Sequence, residues 1–479
     1  MSATDTGLTW MSATDIAREV ATRRLGALEV AEHFLERIER LDPDLNAFVY
    51  VDQEQVRERA RDLDRRIAAG DDVGPLAGVP YSLKESTAVA GLPHTGAMAA
   101  MAGHVADHDS VVAARLAAAG GLLMGKTNLP ENGYHCGTDN HLYGATRNPW
   151  NLDCSPGGSS GGASASVAAG LTPVADGSDG AGSIRVPAAM CGIVGFKPST
   201  GRIPQELLPT RFATFLSHGI LARTVADIAL MMSVEAGPDA VDPLSLPGDG
   251  VDYAAALEGD LAGWRIAWSP DLGFGEQATD PEILDLCETA VTAFAELGAA
   301  VVDASPRWSD PQRAMWNGVW LPAYAPDLDA YDWAELERTG RVDPELAELV
   351  RAGARQSGAA IASADLERSA VYRAFATFME DHDLLVSPTV RIPGFPADRF
   401  GPPEFDGTPL SDRILGWINT YPANLTGTPA VSVPVGVTKA GLPVGLQIAG
   451  GHLADARVLR AAAAFERARP WSGLRPPHS

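Results

Sequence analysis

Lysine is scarce in this 479-residue chain: of 37 basic residues only Lys84, Lys126, Lys197 and Lys439 are lysines. A GC-rich genome, which favours arginine codons, accounts for the bias. It also enriches the surviving lysines for work arginine cannot do, chiefly losing a proton. Basic charge as a whole is short, with 37 Lys and Arg against 61 Asp and Glu and a formal net charge of −24. That excludes a general nucleic-acid binder, which needs clustered cations, and disfavours docking on an anionic membrane. The four cysteines, Cys136, Cys154, Cys191 and Cys287, form no C-x-x-C pair. Neither a zinc knuckle nor a disulfide framework is indicated, and they read as reduced thiols in a cytoplasmic protein. No signal-peptide core is seen near the start, and no apolar run reaches the about 18 residues needed to span a bilayer. No metal or cofactor is expected.

What is present is ordinary for a soluble globular protein: 46% hydrophobic and 20% charged residues, with chain enough for a large core. Residues 1–10 read as a tail. Helical periodicity covers 12–25, 27–41 and 52–69, with a break expected at Asp42-Pro43. Further on, helices are expected over Asp109–Ala119 and Pro281–Leu297. Strands are expected at Leu122–Met124, Thr172–Ala175, Trp264–Trp268, Ala300–Val302, Leu384–Ser387, Ala430–Val433 and Val444–Ile448. The alternation predicts an α/β fold: a single large α/β/α domain whose mixed, mostly parallel central sheet is flanked by helices. A helical N-terminal segment, 1–70, should pack on a domain spanning 71–479, with a variable stretch near 305–420 shaping the substrate pocket.

Two motifs mislead. Gly120–Thr127, GGLLMGKT, fits a P-loop, but a helix precedes it and Pro130 interrupts any helix after it, the reverse of what phosphate binding needs. Gly157–Gly161, GGSSG, fits a nucleophile elbow, which requires a later histidine. His382 and His452 are available, neither in a distinctive context.

The informative tract is 155–204. Ten glycines fall between Gly157 and Gly195, in two Gly-Ser clusters, and no histidine or lysine lies between Gly157 and Phe196. Glycine beside serine suits convergence of backbone N–H groups on an oxyanion, although a tight structural turn is the commoner meaning. A serine nucleophile without histidine needs another base. Lys84, on the strand-like, partly apolar GVPYSLKES, could be brought to the neutral form by burial.

Here the chain resembles the amidase signature family. The resemblance rests on G-V-P-x-x-x-K-[DE] at Gly78–Glu85, G-K-T-N at Gly125–Asn128 and T-R-N-P-W at Thr146–Trp150. It continues with P-G-G-S-S-G-G at Pro156–Gly162, G-S-I-R-x-P-A at Gly182–Ala188, V-G-x-K-P at Val194–Pro198, T-G-x-P-A at Thr426–Ala430 and G-L-P-x-G-x-Q at Gly441–Gln447. GVPYSLKE and TYPANLTGTPA are similar to segments of broad-specificity bacterial amidases, including cyclic nylon-oligomer hydrolases. The resemblance implies a Ser–cis-Ser–Lys triad: Ser183 as nucleophile, Ser159 after a cis peptide bond and Lys84 as base. Gly180, Ala181, Gly182 and Ser183 would offer the oxyanion hole, with Ser160 in support. The family usually has G-G-S before the nucleophile; Ala181 replaces the first glycine, and its methyl is expected to narrow or tilt the hole. Asp179 and Arg185 are expected to pair and brace the loop, and Lys126 and Lys197 to be structural.

The implied function is hydrolysis of a carboxylic amide through a seryl acyl-enzyme, acting on a small molecule, with no nucleic acid and no membrane; a homodimer is compatible with this. Alternatives are a carbamate, ester or hydrazide hydrolase of the same family, a silent binding protein of the same fold, or the glutamine-hydrolysing A subunit of a tRNA-dependent amidotransferase. Against the last, Val186 stands where such subunits usually have Gln, and STGRIP where they have Y-G-R-V-S. The pairs Trp316/Trp320 and Trp417/Tyr421 lie at helical spacing. Core packing is the usual meaning of such stripes, but as pocket walls they would favour neutral aryl or medium-chain amides.

Overall fold

The computed structural model describes residues 7–274 and 279–479. Among the described residues eleven strands form one sheet: β1 Phe48–Tyr50, β2 Pro80–Lys84, β3 Leu122–Thr127, β4 Val174–Asp179, β5 Val194–Lys197, β6 Ser217–Ala222, β7 Arg265–Trp268, β8 Ala300–Asp303, β9 Leu384–Pro388, β10 Ala430–Val437 and β11 Pro443–Gly450. Their order is β1-β3-β2-β4-β6-β5-β10-β11-β9-β7-β8. Pairing is parallel on the two wings, β3-β2-β4 and β9-β7-β8. It is antiparallel through the middle, from β4 to β9, and at the β1 edge. The sheet is therefore mixed and flanked by helices, but "mostly parallel" holds for the wings alone. One antiparallel pair has a local reason: β10 and β11 form a hairpin across residues 438–442, and a short connection makes antiparallel neighbours. The other antiparallel pairs join strands separated by longer stretches of chain.

The N-terminal helices α1 Ala13–Ala21, α2 Ala27–Leu45 and α3 Gln53–Ala69 bury one face each, including Ile16, Val20, Phe34, Leu35, Leu63 and Ile67, in the main apolar cluster with the sheet. The segment is not wholly helical, since β1 pairs with β3. Two expectations fail here. Pro43 does not stop α2, which runs two residues further, to Leu45. The stop comes at Asn46, which is left-handed and donates its N–H to Asp42 O at 2.7 Å, while Asp42 Oδ1 accepts from Ala47 N at 2.8 Å. Nor are residues 9–10 tail-like. Thr9 is buried, and Trp10 stacks under the Arg223 and Arg475 guanidiniums at 5.5 and 4.1 Å. Residues 1–6 of that tail lie outside the described residues.

Two further helices position the site: α4 Gly161–Ala168 and α5 Arg185–Cys191. Every residue of both is buried. Burying α4 entirely requires small side chains. A methyl on Gly162 would lie 2.4 Å from Asn128 N and 2.6 Å from Ala47 O, and one on Gly161 would lie 2.3 Å from Thr138 Oγ1. The stretch 311–380 forms a helical layer with its own apolar cluster, around Met315, Trp320, Leu346 and Val350.

Gly162→Ala should therefore destabilise the protein by about 1–3 kcal/mol, because backbone atoms cannot yield to an inserted methyl. Gly358→Ala, at a helix start with open space around it, should be neutral or slightly stabilising. Urea denaturation midpoints of the two variants would check the contrast.

Candidate active site

β2 and β4 run parallel and adjacent, so their last residues, Lys84 and Asp179, emerge at the same edge of the sheet. In parallel α/β arrangements this carboxyl edge is where ligands settle. Lys84 is 1% exposed. Its Nζ lies 2.6 Å from Ser159 Oγ and 3.0 Å from Ser178 Oγ. Burial drives its pKa down to about 7, against the opposing pull of the Asp179 and Asp176 carboxylates. At neutral pH a large fraction of this amine is uncharged and able to accept a proton.

Ser159 follows a cis peptide bond from Gly158. Its neighbour Ser160 ties two loops together: Ser160 N donates to Ser183 O at 3.1 Å, Ser160 Oγ donates to Ser178 O at 3.2 Å, and Ser178 N lies 3.3 Å from Ser160 Oγ. Lys84, Ser159, Ser178, Gly180 and Ser183 all line one cavity of about 510 Å³. The loop 180–183 between β4 and α5 is buried. Among the described residues, its four backbone N–H groups have no hydrogen-bond acceptor. Four successive unpaired donors are uncommon in an interior, and beside a cavity they can receive a developing oxyanion. Gly182 has φ +141, and a methyl there would lie 2.0 Å from Thr420 Oγ1, so only glycine fits. The Ala181 methyl packs into the apolar cluster beside Val186 and Met190. It is not on the cavity wall, so the expected narrowing does not occur.

The loop is held from behind by a buried ion pair. Arg185 Nε donates to Asp179 Oδ2 at 3.0 Å and Arg185 Nη2 to Asp179 Oδ1 at 2.9 Å, both side chains fully buried. The same guanidinium donates to Thr420 O, Gln447 Oε1 and Asn424 Oδ1. Asn424 Nδ2 donates in turn to Asp179 O and Oδ1. Burial raises the Asp179 carboxyl, but Arg185 and the Asn424 bond outweigh it and hold the group below its ordinary value.

The remaining expected residues are scattered. Lys126 Nζ donates to Glu85 O at 2.9 Å and to Thr87 O at 2.5 Å, inside strand β3; GGLLMGKT is thus a turn and a strand. Lys197 Nζ donates to Pro198 O at 2.8 Å. His382 and His452 are not on the cavity wall. Of the four aromatic candidates only Trp320 lines the cavity, its Nε1 donating to Tyr134 O at 3.1 Å. Trp316 lies outside that wall. Trp417 is core, edge-on to Phe395, and Tyr421 is core, stacked on Phe274. Thr420, between them in the chain, is the residue that faces the donor loop, its hydroxyl donating to Ala181 O at 2.6 Å. Ser178 was not among the expected residues, although it lies within the same Gly-Ser tract. Asn424, far away in sequence, carried no signal. Elsewhere, Glu131, His141 and Asp343 bring ligand-type atoms within 4.8 Å of one another. Hydrogen bonds account for that cluster: Glu131 Oε1 to His141 Nδ1 at 2.8 Å and Asp343 N to Glu131 Oε2 at 3.0 Å.

The chain has relatives among known proteins along its whole length. The Amidase family model matches residues 29–459. The chain is 49% identical to an acylamidase of Rhodococcus erythropolis, covering 99% of each. It is 37% identical to the A subunit of a glutamyl-tRNA(Gln) amidotransferase from Synechococcus sp., covering 96% of this chain and 92% of the other. Among solved structures it superposes on a bacterial aryl acylamidase with TM-score 0.89 at 36% identity, covering 97% of each. It superposes on 6-aminohexanoate cyclic dimer hydrolase with TM-score 0.88 at 32% identity, covering 98% of this chain and 99% of the other. No helix among the described residues is long and apolar enough to cross a membrane. The fold, the matched span and the relatives agree: this chain belongs to the amidase signature family and is a hydrolase of amide bonds.

Proposed function

We propose that Lys84, Ser159 and Ser183 are the reacting groups and that the substrates are neutral aryl or medium-chain amides. The observation that carries the proposal is a lysine amine brought near neutrality by burial, 2.6 Å from Ser159 Oγ. It shares a cavity with Ser183 and a loop of unpaired N–H donors. Neutral Lys84 takes the proton of Ser159 as Ser159 takes that of Ser183. Ser183 Oγ bonds to the carbonyl carbon, and the charge that develops on the carbonyl oxygen is met by the N–H groups of 180–183. The relay then reverses: the proton passes to the amide nitrogen, the C–N bond breaks, and the amine leaves an ester on Ser183. Water repeats the sequence and releases the acid. Ser160 positions Ser159 and Ser183, while Asp179 and Arg185 hold the donor loop; these three are positioning groups.

The substrate class rests on the cavity wall. Leu129, Leu207, Phe212, Phe215, Val319 and Trp320 line it, and such a wall rewards apolar groups and disfavours the carboxylate of a free amino acid. The names of two relatives, acylamidase and aryl acylamidase, are in accord. The glutaminase reading has the 37% identical amidotransferase relative in its favour, but Val186 and Ser199–Pro204 depart from that subgroup's usual motifs. The same machinery would open esters, carbamates and hydrazides at the same carbonyl.

Ser183→Ala should lower kcat by about 10⁴-fold or more without loss of fold, since members of a nucleophilic relay act as a unit. Lys84→Arg should be as damaging as Lys84→Ala to within about tenfold, because arginine keeps its proton; steady-state kinetics with a chromogenic anilide would check both.

The base must be neutral, so kcat/KM should rise with pH through about 7 and level off above it. A profile flat from about pH 6 to 8 would remove Lys84 from the base role.

A neutral acyl anilide should exceed glutamine in kcat/KM by about tenfold or more. The reverse order would favour the amidotransferase reading.

A further inference from the structure

The cavity holds a carboxylate that the chemistry above does not use. Asp327 lies on the cavity wall near Trp320, Pro326 and Tyr331. Its Oδ2 accepts from Asn132 Nδ2 at 2.8 Å, and its Oδ1 has no partner among the described residues. Burial raises this carboxyl above its ordinary value, and the Asn132 bond offsets only part of that. The other charges on the wall are occupied. Lys84 faces two serines. Arg368 donates to Leu425 O, Thr214 Oγ1 and Thr214 O. Asp327 is therefore the one charged group on the described wall with an unused face, in surroundings where polar groups set orientation.

Its position is fixed from two sides. Trp333 Nε1 donates to Asp327 O at 2.9 Å, and Tyr324 OH donates to Asn132 O at 3.2 Å. Asn132 leads into Gly133, which packs against the relay serine: a methyl on Gly133 would lie 3.4 Å from Ser159 Oγ. In the proposed relay Ser159 returns the proton to the leaving nitrogen, so the leaving amine must sit on the Ser159 side. That is the wall from which Asn132 reaches Asp327.

We propose that Asp327 is a specificity-determining residue that receives a hydrogen-bond donor, an ammonium above all, carried on the leaving-amine part of the substrate. The proposal rests on the reading of Lys84, Ser159 and Ser183 as the amide-cleaving relay. A carboxylate on the same part of the substrate meets like charge and is rejected.

The test is a series of acetanilides with para-aminomethyl, para-hydroxymethyl, para-methyl and para-carboxy substituents, compared by kcat/KM in wild type, Asp327→Leu and Asp327→Asn. In wild type the ammonium should exceed the methyl compound by about tenfold to a hundredfold, the range for a hydrogen bond to a charged group, and the carboxylate should rank last. Asp327→Leu should bring the ammonium-to-methyl ratio to one or below. Asp327→Asn, which retains an acceptor but no charge, should keep a preference for hydroxymethyl over methyl and lose most of the ammonium preference. A wild-type ratio near one, or a ratio unchanged in both variants, overturns the proposal. If no anilide turns over at all, the aryl-amidase reading falls. The subsite is then read by calorimetric titration of para-(aminomethyl)acetanilide into wild type and Asp327→Asn, where equal affinity overturns it and a weakening of about tenfold supports it.

Discussion

The site depends on keeping one amine out of water. Lys84 ends a strand buried on both faces, and desolvation is the largest influence on its proton. A buried lysine next to a free carboxylate would be fully charged and useless as a base. Asp179 stands in the neighbouring strand, close enough to pull the amine back towards the charged form. The structure answers by committing the Asp179 carboxylate elsewhere: two bonds from Arg185, one from Asn424 and one from Ile184 N occupy its oxygens. The same ion pair anchors the donor loop, since Ile184 N donates to Asp179 Oδ2 at 3.2 Å. One buried contact thus ties up the carboxylate beside the amine and anchors the loop of unpaired N–H groups. Buried pairs of this kind contribute little net stability by themselves; their value here is positional.

The two glycine clusters divide a labour that looks uniform in the sequence. In Pro156–Gly162 the glycines permit close approach: a methyl on Gly158 would fall 1.8 Å from Gly137 O, and those on Gly161 and Gly162 would collide with Thr138 and the Asn128 backbone. In 180–183 the backbone N–H groups of the described loop are left unpaired beside a cavity. Gly182 combines close approach with an unpaired backbone N–H.

The helical layer 311–380 closes one side of the cavity. It supplies Val319, Trp320, Asp327 and Tyr331 to the cavity wall, and its apolar side chains share one cluster with Ala181, Val186 and Met190 of the donor loop and α5.

The sequence by itself determined the family, the α/β class and the group of residues around Lys84, Ser159 and Ser183. Motifs of buried glycine, serine and lysine are constrained by contacts on every side and leave fixed spacings. It also placed most strands of the wings, where apolar runs are continuous. The tertiary structure decided what local pattern could not. β5 and β6 were not expected, and β4 runs to Asp179, beyond the expected end, because their polar and glycine residues are satisfied by partners from distant strands. Trp417 and Tyr421 have helical spacing in the sequence, yet no helix carries both: one helix ends at Leu415, the next begins at Tyr421, and both side chains pack in the core, because spacing alone does not form a helix. Asn424 and Asp327 reach the site from far along the chain, through contacts formed only when the helical layer and the C-terminal strands close over the carboxyl edge of β2 and β4.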